Sequence, residues 1–352
     1  SVRNQDRTPC WRCSFNERRL LPLFGLDCVT LADLVEEEPP LAESESGADS
    51  GRSTMHRGYD LTQCVQDSVV RHFYGAVPTE PEKVEPVRQS YALSAIRCLD
   101  AAQRLHESFR PDVVLGYMLA YSEWEPFYLY YRSQGVPFRL VSSTQFNMEA
   151  QVVHWPDLYH SRERFRDYLA SRKTSVLTER EETELDDFMS ARTSGSSGVF
   201  QRLAFFEGSS DEAVTNAGLS VDPDKRNIFL FSNVYWDVGM SSLGRTYSDV
   251  LAWVVDTVEL IKDMPGCHLY IKTHPGERYD SAPSLMSVEQ VVRQAFPSLP
   301  PCVTFITPEL RLNTYDLFSQ VDLGVVYNGT VGLEMLLSGI PVLATGVAPY
   351  TD

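Results

Sequence analysis

The sequence predicts an α/β chain made of two consecutive doubly wound halves. Short apolar runs bounded by turn residues alternate with stretches of helical periodicity, which is the order of strand–helix–strand crossover units. The 352 residues exceed one ordinary core and suit two domains of roughly 150 to 200 residues. Apolar residues make up 43% of the chain and aromatics 11%, enough to build packed cores rather than a disordered polymer.

The elements follow in chain order. Residues 36–58 are rich in Ser, Glu and Gly and read as a long loop. Between residues 91 and 109, Leu93, Ile96, Leu99, Ala102 and Leu105 recur at helical spacing, and the helix should stop at Arg110 because proline follows. Residues 111–116 read as a buried parallel strand, and the stretch carrying Trp124, Phe127, Leu129 and Tyr131 as a helix. The turn at Gly135 then leads into a strand over 138–141. Residues 157–192 are charged and helical, and the Ser- and Gly-rich run at 193–198 is a break near the domain junction.

A second series then begins, with strands over 227–232, 267–272, 303–306, 323–327 and 340–344. The helices expected between them cover 247–262, with Val250, Trp253, Val254, Thr257 and Leu260 on one side, and 331–338. The expected domains are 1–215 and 216–352. Both ends look clipped, since no clean strand opens the first half and the last strand runs out into a loop.

Charge and cysteine content narrow the function classes. The formal net charge is -17, and no basic stripe is present to follow a nucleic-acid backbone, so no nucleic-acid partner is expected. Seven irregularly spaced cysteines fit reduced thiols better than a disulfide framework. Cys10 and Cys13 form a lone CxxC with no second cluster to complete a zinc site, and no DxD-like pair lies near the motifs below, so no metal is expected. No apolar run approaches the roughly 20 residues that span a bilayer, and the first residues lack a signal-peptide core. A cytoplasmic protein is expected.

Two motifs carry chemistry. The first is 271–277, IKTHPGE, where a strand ends in Lys272, His274 and a turn made by Pro275 and Gly276. Open α/β sheets place ligands at such carboxyl edges. Lys272 and His274 can supply charge or hydrogen bonds to a phosphate, with Pro275 holding the imidazole toward the cleft and Glu277 closing the loop. Taken alone, a His-Pro turn reads as a structural cap.

The second motif, 325–334, changes that balance. A strand ends at Tyr327, and Asn328, Gly329 and Thr330 lead at once into a helix beginning at Val331. Free N–H groups at the helix start and the Thr330 hydroxyl would form an anion site, and Gly329 would let the backbone approach a phosphate. Glu334, one turn in, would accept from the diol of a ribose or sugar. The Asn-Gly-Thr sequon at 328–330 lies in a turn feeding a helix and reads as accidental.

A Lys-x-His-Pro loop, then a Thr-led turn, a Gly-Leu-Glu helix and a Gly-x-Pro-Val strand, resembles the donor half of GT-B capsule and surface-polysaccharide glycosyltransferases. The similarity extends to Kdo-transferring capsule enzymes and, more distantly, to bacterial sialyltransferases, and covers about residues 227–352. Glycerophosphotransferases and UDP-GlcNAc 2-epimerases share the layout. The resemblance implies a GT-B fold, two Rossmann-like domains facing an inter-domain cleft, with His274 and Thr330 on the nucleotide phosphate. Asn328 and Gly329 depart from the family, which often has a second Ser or Thr there, and leave the nucleotide open.

On this basis the expected activity is metal-independent transfer of a sugar from a CMP- or UDP-linked donor to a glycan or lipid-linked acceptor, with CMP-linked acidic sugars ranked first. The nucleotide sugar is a substrate, so no cofactor is expected. Peripheral contact with membrane-bound biosynthetic machinery at the inner face would follow. The alternatives are an epimerase or polyol-phosphate transferase on the same scaffold, and a non-catalytic assembly protein that binds nucleotide sugars.

Further candidates sit at other strand ends. Asn233 and Asp237 follow the strand at 227–232 and would touch the donor sugar, although Asp237 reads equally as a helix cap. In the first half, Glu123 and then Glu125 are the candidate bases for the acceptor hydroxyl, each also readable as surface glutamate. Tyr117, Tyr121 and Trp124 read equally as sugar-stacking rings or helix core.

Overall fold

The structure is a computed structural model that describes residues 23, 25, 27, 29–35, 53–116, 120–143, 150–153, 176–193, 219, 221–237, 246, 247, 249–278, 284–310, 312–346, 348, 350 and 351. The chain divides into two compact units, one of residues 1–72 and 77–139, the other of 73–76 and 140–352. The division does not fall at the junction expected near 215. Cys10, Cys13, Cys28, Tyr117 and the break at 193–198, save Thr193, lie outside the described residues.

The first unit is mainly helical. A short helix α1 (Leu31–Leu34) opens with a capping box, Thr30 and Asp33 satisfying each other's backbone N–H groups. A two-residue hairpin, β1 (Met55–His56) and β2 (Tyr59–Asp60), precedes α2 (Thr62–His72). Helix α3 (Pro81–Phe109) runs 29 residues and ends at Arg110, which adopts the left-handed conformation just before Pro111. It starts ten residues earlier than its apolar periodicity, because its polar first turns offer no stripe to read. Proline at its first position supplies the start instead.

Strand β3 (Val114–Gly116) is shorter and more exposed than expected. Helix α4 (Glu125–Ser133) follows and buries Tyr128, Tyr130 and Tyr131. Strand β4 (Phe138–Ser143) continues into the second unit, where it pairs antiparallel with β5 (Ala150–Val153). The expected crossover unit therefore carries an antiparallel partner that sequence periodicity had not marked.

The second unit holds a five-stranded parallel sheet of β6 (Arg226–Phe231), β7 (Cys267–Lys272), β8 (Val303–Ile306), β9 (Leu323–Val326) and β10 (Val342–Ala344), in the order β10-β9-β6-β7-β8. Alternate residues face opposite sides. Phe229, Phe231, Tyr270, Ile306 and Val326 pack with Leu312, Leu317, Met335 and Ile340 on one face. On the other, helix α6 (Val250–Ile261) lies against β7 and buries Trp253, Val254 and Val258, with α7 (Val288–Ala295) beside it. Both faces are covered, which is why the strands read as continuous apolar runs.

The helix starts are chemically explicit. The Asp249 carboxylate accepts from Leu251 N–H to open α6, and Ser287 and Gln290 form a capping box for α7. Helix α8 (Val331–Leu337) packs on β9 and β10, so closely that a Cβ on Gly324 would overlap the Met335 side chain. Helix α5 (Glu179–Thr193) also belongs to this unit, with Phe188 buried. Among the described residues no helix is long and apolar enough to cross a membrane.

Candidate functional site

Strand order places the site. From β6 the sheet grows through β7 and β8 on one side, then returns to add β9 and β10 on the other. The order reverses between β6 and β9, and ligands of open parallel sheets bind outside the carboxyl ends at such a reversal. Three loops meet there, following β6, β7 and β9. Two hydrogen bonds join them. His274 N–H donates to Ser232 Oγ at 3.0 Å, and Asn233 Nδ2 donates to Asn328 Oδ1 at 2.8 Å.

Lys272 ends β7 with its side chain 7% exposed, and no ion pair or hydrogen bond holds it. Burial alone drives its pKa down to about 8. A buried ammonium without a partner is costly unless something anionic joins it. The same edge leaves two buried oxygens without a hydrogen-bond partner, Asn233 Oδ1 and Thr273 Oγ1.

His274 is partly exposed and turned by Pro275 into a short 3-10 helix, Pro275–Arg278. Its Nδ1 accepts from Gly276 N–H at 2.9 Å. That bond assigns the proton of the neutral ring to Nε2, which becomes a donor. Burial first, and then the Lys272 charge, lower its pKa to about 4 against an opposing pull from Asp237. The imidazole is therefore a neutral hydrogen-bond donor near pH 7, and the positive charge expected from it comes from Lys272 alone.

Other predicted groups turn out to be engaged. Glu277 is buried, and its Oε1 accepts from Val288 N–H at 3.2 Å, at the first turn of α7. Burial raises its pKa to about 7, partly offset by that bond. Its place is under α7 rather than on a ligand. Glu334 is 2% exposed, and Arg192 donates to its Oε1 through Nη2 at 2.6 Å and Nε at 3.0 Å. Tyr315 donates to its Oε2 at 3.0 Å. The diol-binding role expected of Glu334 meets a carboxylate already occupied by three donors.

Thr330 is exposed, and its side chain makes no capping bond to α8. Its hydroxyl accepts from Arg192 Nη2 at 3.4 Å. Tyr350 donates to the Gly329 carbonyl and packs on Gly332, where a Cβ would stand 2.5 Å from the Tyr350 oxygen. Val331 begins α8, and Gly329 N–H and carbonyl lie in the turn before it. Among the described residues, no hydrogen bond or ion pair joins His274 directly to Thr330. Asn328 lies nearest the β6 loop, through its bond to Asn233.

Asp237 sits in a turn closed by its N–H donating to Val234 O, within reach of the His274 charge balance. The neighbouring Tyr235 and Trp236 are buried and anchored on Met286 O and Ser284 Oγ. In the first unit, Glu123 is exposed, while Glu125 is half-buried with its pKa raised to about 7 by burial and by Asp67 and Asp60. Tyr121 is buried in a left-handed conformation (φ 74°) and its hydroxyl accepts from Arg71 Nη1 at 2.8 Å, while Trp124 is exposed. No group of described His, Cys, Asp or Glu residues is arranged to hold a metal ion.

Sequence reasoning missed Ser232, Gly276, Arg192 and Tyr315. Arg192 lies 142 positions before Glu334, and a charged helix gives no sign of which cation is buried. Ser232 and Gly276 adjoin the motif residues and act through a hydroxyl and a backbone N–H.

No protein-family model matches the chain, and no curated protein matches it in sequence. Among solved structures it is similar to the KpsC β-Kdo 2,7 transferase of Thermosulfurimonas dismutans, at 13% identity over 71% of this chain and 70% of that one, with a TM-score of 0.36. It is also similar to the UDP-GlcNAc 2-epimerase of Neisseria meningitidis bound to UDP-GlcNAc, at 13% identity over 80% and 79% of the two chains, TM-score 0.26. The corresponding enzyme of Rickettsia bellii gives 12% identity over 80% and 75%, TM-score 0.30. These likenesses are partial, and the chemistry of the site rests on its own residues.

Proposed function

We propose that the chain is a glycosyltransferase that binds a nucleotide-activated sugar by its phosphate at the carboxyl edge of the second unit's parallel sheet. The observation that carries this is the buried Lys272 ammonium without a partner, next to a histidine whose tautomer is fixed as a donor. When the glycosyl–oxygen bond breaks, negative charge grows on the departing phosphate. A cation and an N–H donor already in place stabilise that charge without reorganising. The acceptor oxygen attacks the anomeric carbon and gives its proton to a base. Glu125, with a pKa near 7, suits that task better than exposed Glu123. The charge comes from a side chain, and the nucleotide sugar is substrate rather than cofactor.

The test is a thermal-shift panel with CMP, CDP, UDP and GDP on the wild type and on Lys272→Met. A nucleotide at 100 times its dissociation constant should add about 2.7 kcal/mol to the wild type and nothing to the variant. Equal stabilisation of both proteins, or of neither, would refute the phosphate site. Incubation with UDP-GlcNAc and no acceptor tests the chemistry separately, since release of ManNAc would make the enzyme an epimerase.

A further inference from the structure

The phosphate account leaves one buried group unexplained. Asn233 Oδ1 is inaccessible and accepts no hydrogen bond, although its Nδ2 is used, donating to Asn328 at 2.8 Å. That bond fixes which way the amide faces. The carbonyl oxygen is left pointing away from Asn328 at the reversal point of the sheet, with no donor from the protein. A buried acceptor left unpaired costs roughly 1–3 kcal/mol, so its retention calls for an explanation. Phosphate oxygens do not supply one, because they are acceptors too and would be repelled.

Asn233 lies two residues past the end of β6, and Lys272 ends the adjacent strand β7. Their loops are tied by the Ser232–His274 hydrogen bond. An anion on Lys272 and a donor on Asn233 are thus separated by about one strand spacing, roughly 4.8 Å. Phosphate esters of polyols offer both features together.

We infer that Asn233 reads a hydroxyl of the ligand. The molecule held through its phosphate by Lys272 donates an O–H to Asn233 Oδ1, so the site takes phosphate esters of sugars or ribosides and penalises those lacking the hydroxyl. Discrimination follows from the unpaired acceptor rather than from added attraction. A ligand with no donor leaves Asn233 desolvated and orphaned, and sites built to hydrogen-bond a hydroxyl reject its absence strongly. The Asn328 amide acts as a positioning group, because without it the Asn233 side chain would turn. The inference rests on the phosphate site proposed above and deepens it.

Calorimetric titration of the whole chain at pH 7.5 tests it with matched phosphate esters. The pairs are glucose 1-phosphate beside methyl phosphate, and CMP and UMP each beside the 2′,3′-dideoxy form. In the wild type at least one hydroxylated member should bind about 10- to 100-fold tighter than its hydroxyl-free partner. The glucose pair reports a glycosyl hydroxyl and the nucleotide pairs a ribose hydroxyl. In Asn233→Leu that preference should collapse to within about threefold, while methyl phosphate binds as in the wild type, which also shows that the variant folds.

Equal binding within every pair in the wild type overturns the inference and leaves the phosphate site standing. So does a preference that survives Asn233→Leu. A preference for CMP over UMP that persists in the dideoxy forms overturns it in favour of a base amine. Absence of any Lys272-dependent binding removes the phosphate site and this inference together.

Discussion

The ion pair between Arg192 and Glu334 permits a quantitative forecast. Arg192→Met keeps the length of the side chain and removes the charge. Glu334 Oε1 then loses both guanidinium bonds, at 2.6 and 3.0 Å, and keeps only Tyr315 on its other oxygen. Hydrogen bonds to charged groups contribute about 1.5–3 kcal/mol each, so the loss would reach roughly 3–6 kcal/mol if nothing relaxed. Protonation offers an escape. A glutamate of ordinary acidity takes up a proton at pH 7 for about 3.7 kcal/mol, which limits the damage. The expected destabilisation is therefore about 3–4 kcal/mol, within the range for breaking buried pairs from one side.

The assay is guanidinium denaturation together with peptide-resolved hydrogen exchange over β9 and α8, so that opening of this region is separated from that of the first unit. The sign of the pH effect is fixed. A buried carboxylate stripped of its cation binds a proton more readily folded than unfolded, so the deficit should shrink between pH 7 and pH 5. Arg192→Met combined with Glu334→Leu should recover most of the loss, because no orphan charge remains. A single variant within 1 kcal/mol of wild type, or a deficit unchanged by pH, would refute the account of α5 as anchored by this pair.

Three further outcomes follow from the same site. Lys272→Met should stabilise the unliganded protein by about 1–3 kcal/mol below pH 8 by chemical denaturation, since the folded lysine carries a depressed pKa of about 8, and phosphate binding in the wild type should weaken above that pH. Glu277 has a raised pKa of about 7, so its contribution is fullest below its ordinary value and is lost as pH rises toward 7; Glu277→Gln should flatten that slope in pH-dependent unfolding. Gly332→Ala should cost about 1–3 kcal/mol in thermal unfolding, because its Cβ displaces Tyr350 from the Gly329 carbonyl.

The second half of the fold was legible because its strands are covered on both faces. Runs such as Ile228 to Phe231 have no polar positions to blur them, and β7 and β8 fall where their apolar runs predicted. Helix α7 escaped notice, being eight residues with only Val288 and Val292 buried. In the first half, β3 has no continuous apolar run, and α3 begins in a polar stretch.

The candidate site was half visible. Lys272 and His274 stand out because charge at a strand end is conspicuous against an apolar run. The occupation of Glu334 and the accepting role of His274 Nδ1 depend on partners that only the folded chain brings near. A glutamate one turn into a helix looks the same in sequence whether it awaits a ligand or holds an arginine.

The strand order has a consequence for synthesis of the chain. Strand β6 needs β9 as its second neighbour, and the bond from Asn227 N–H to Asp322 across their starts spans 95 positions. While a ribosome is still making residues beyond β8, one flank of β6 has no complement, and the apolar run from Ile228 to Phe231 has an open edge. Such edges recruit other chains. Nascent chains halted before Leu323 should therefore depend on chaperones, and those extended past α8 should not.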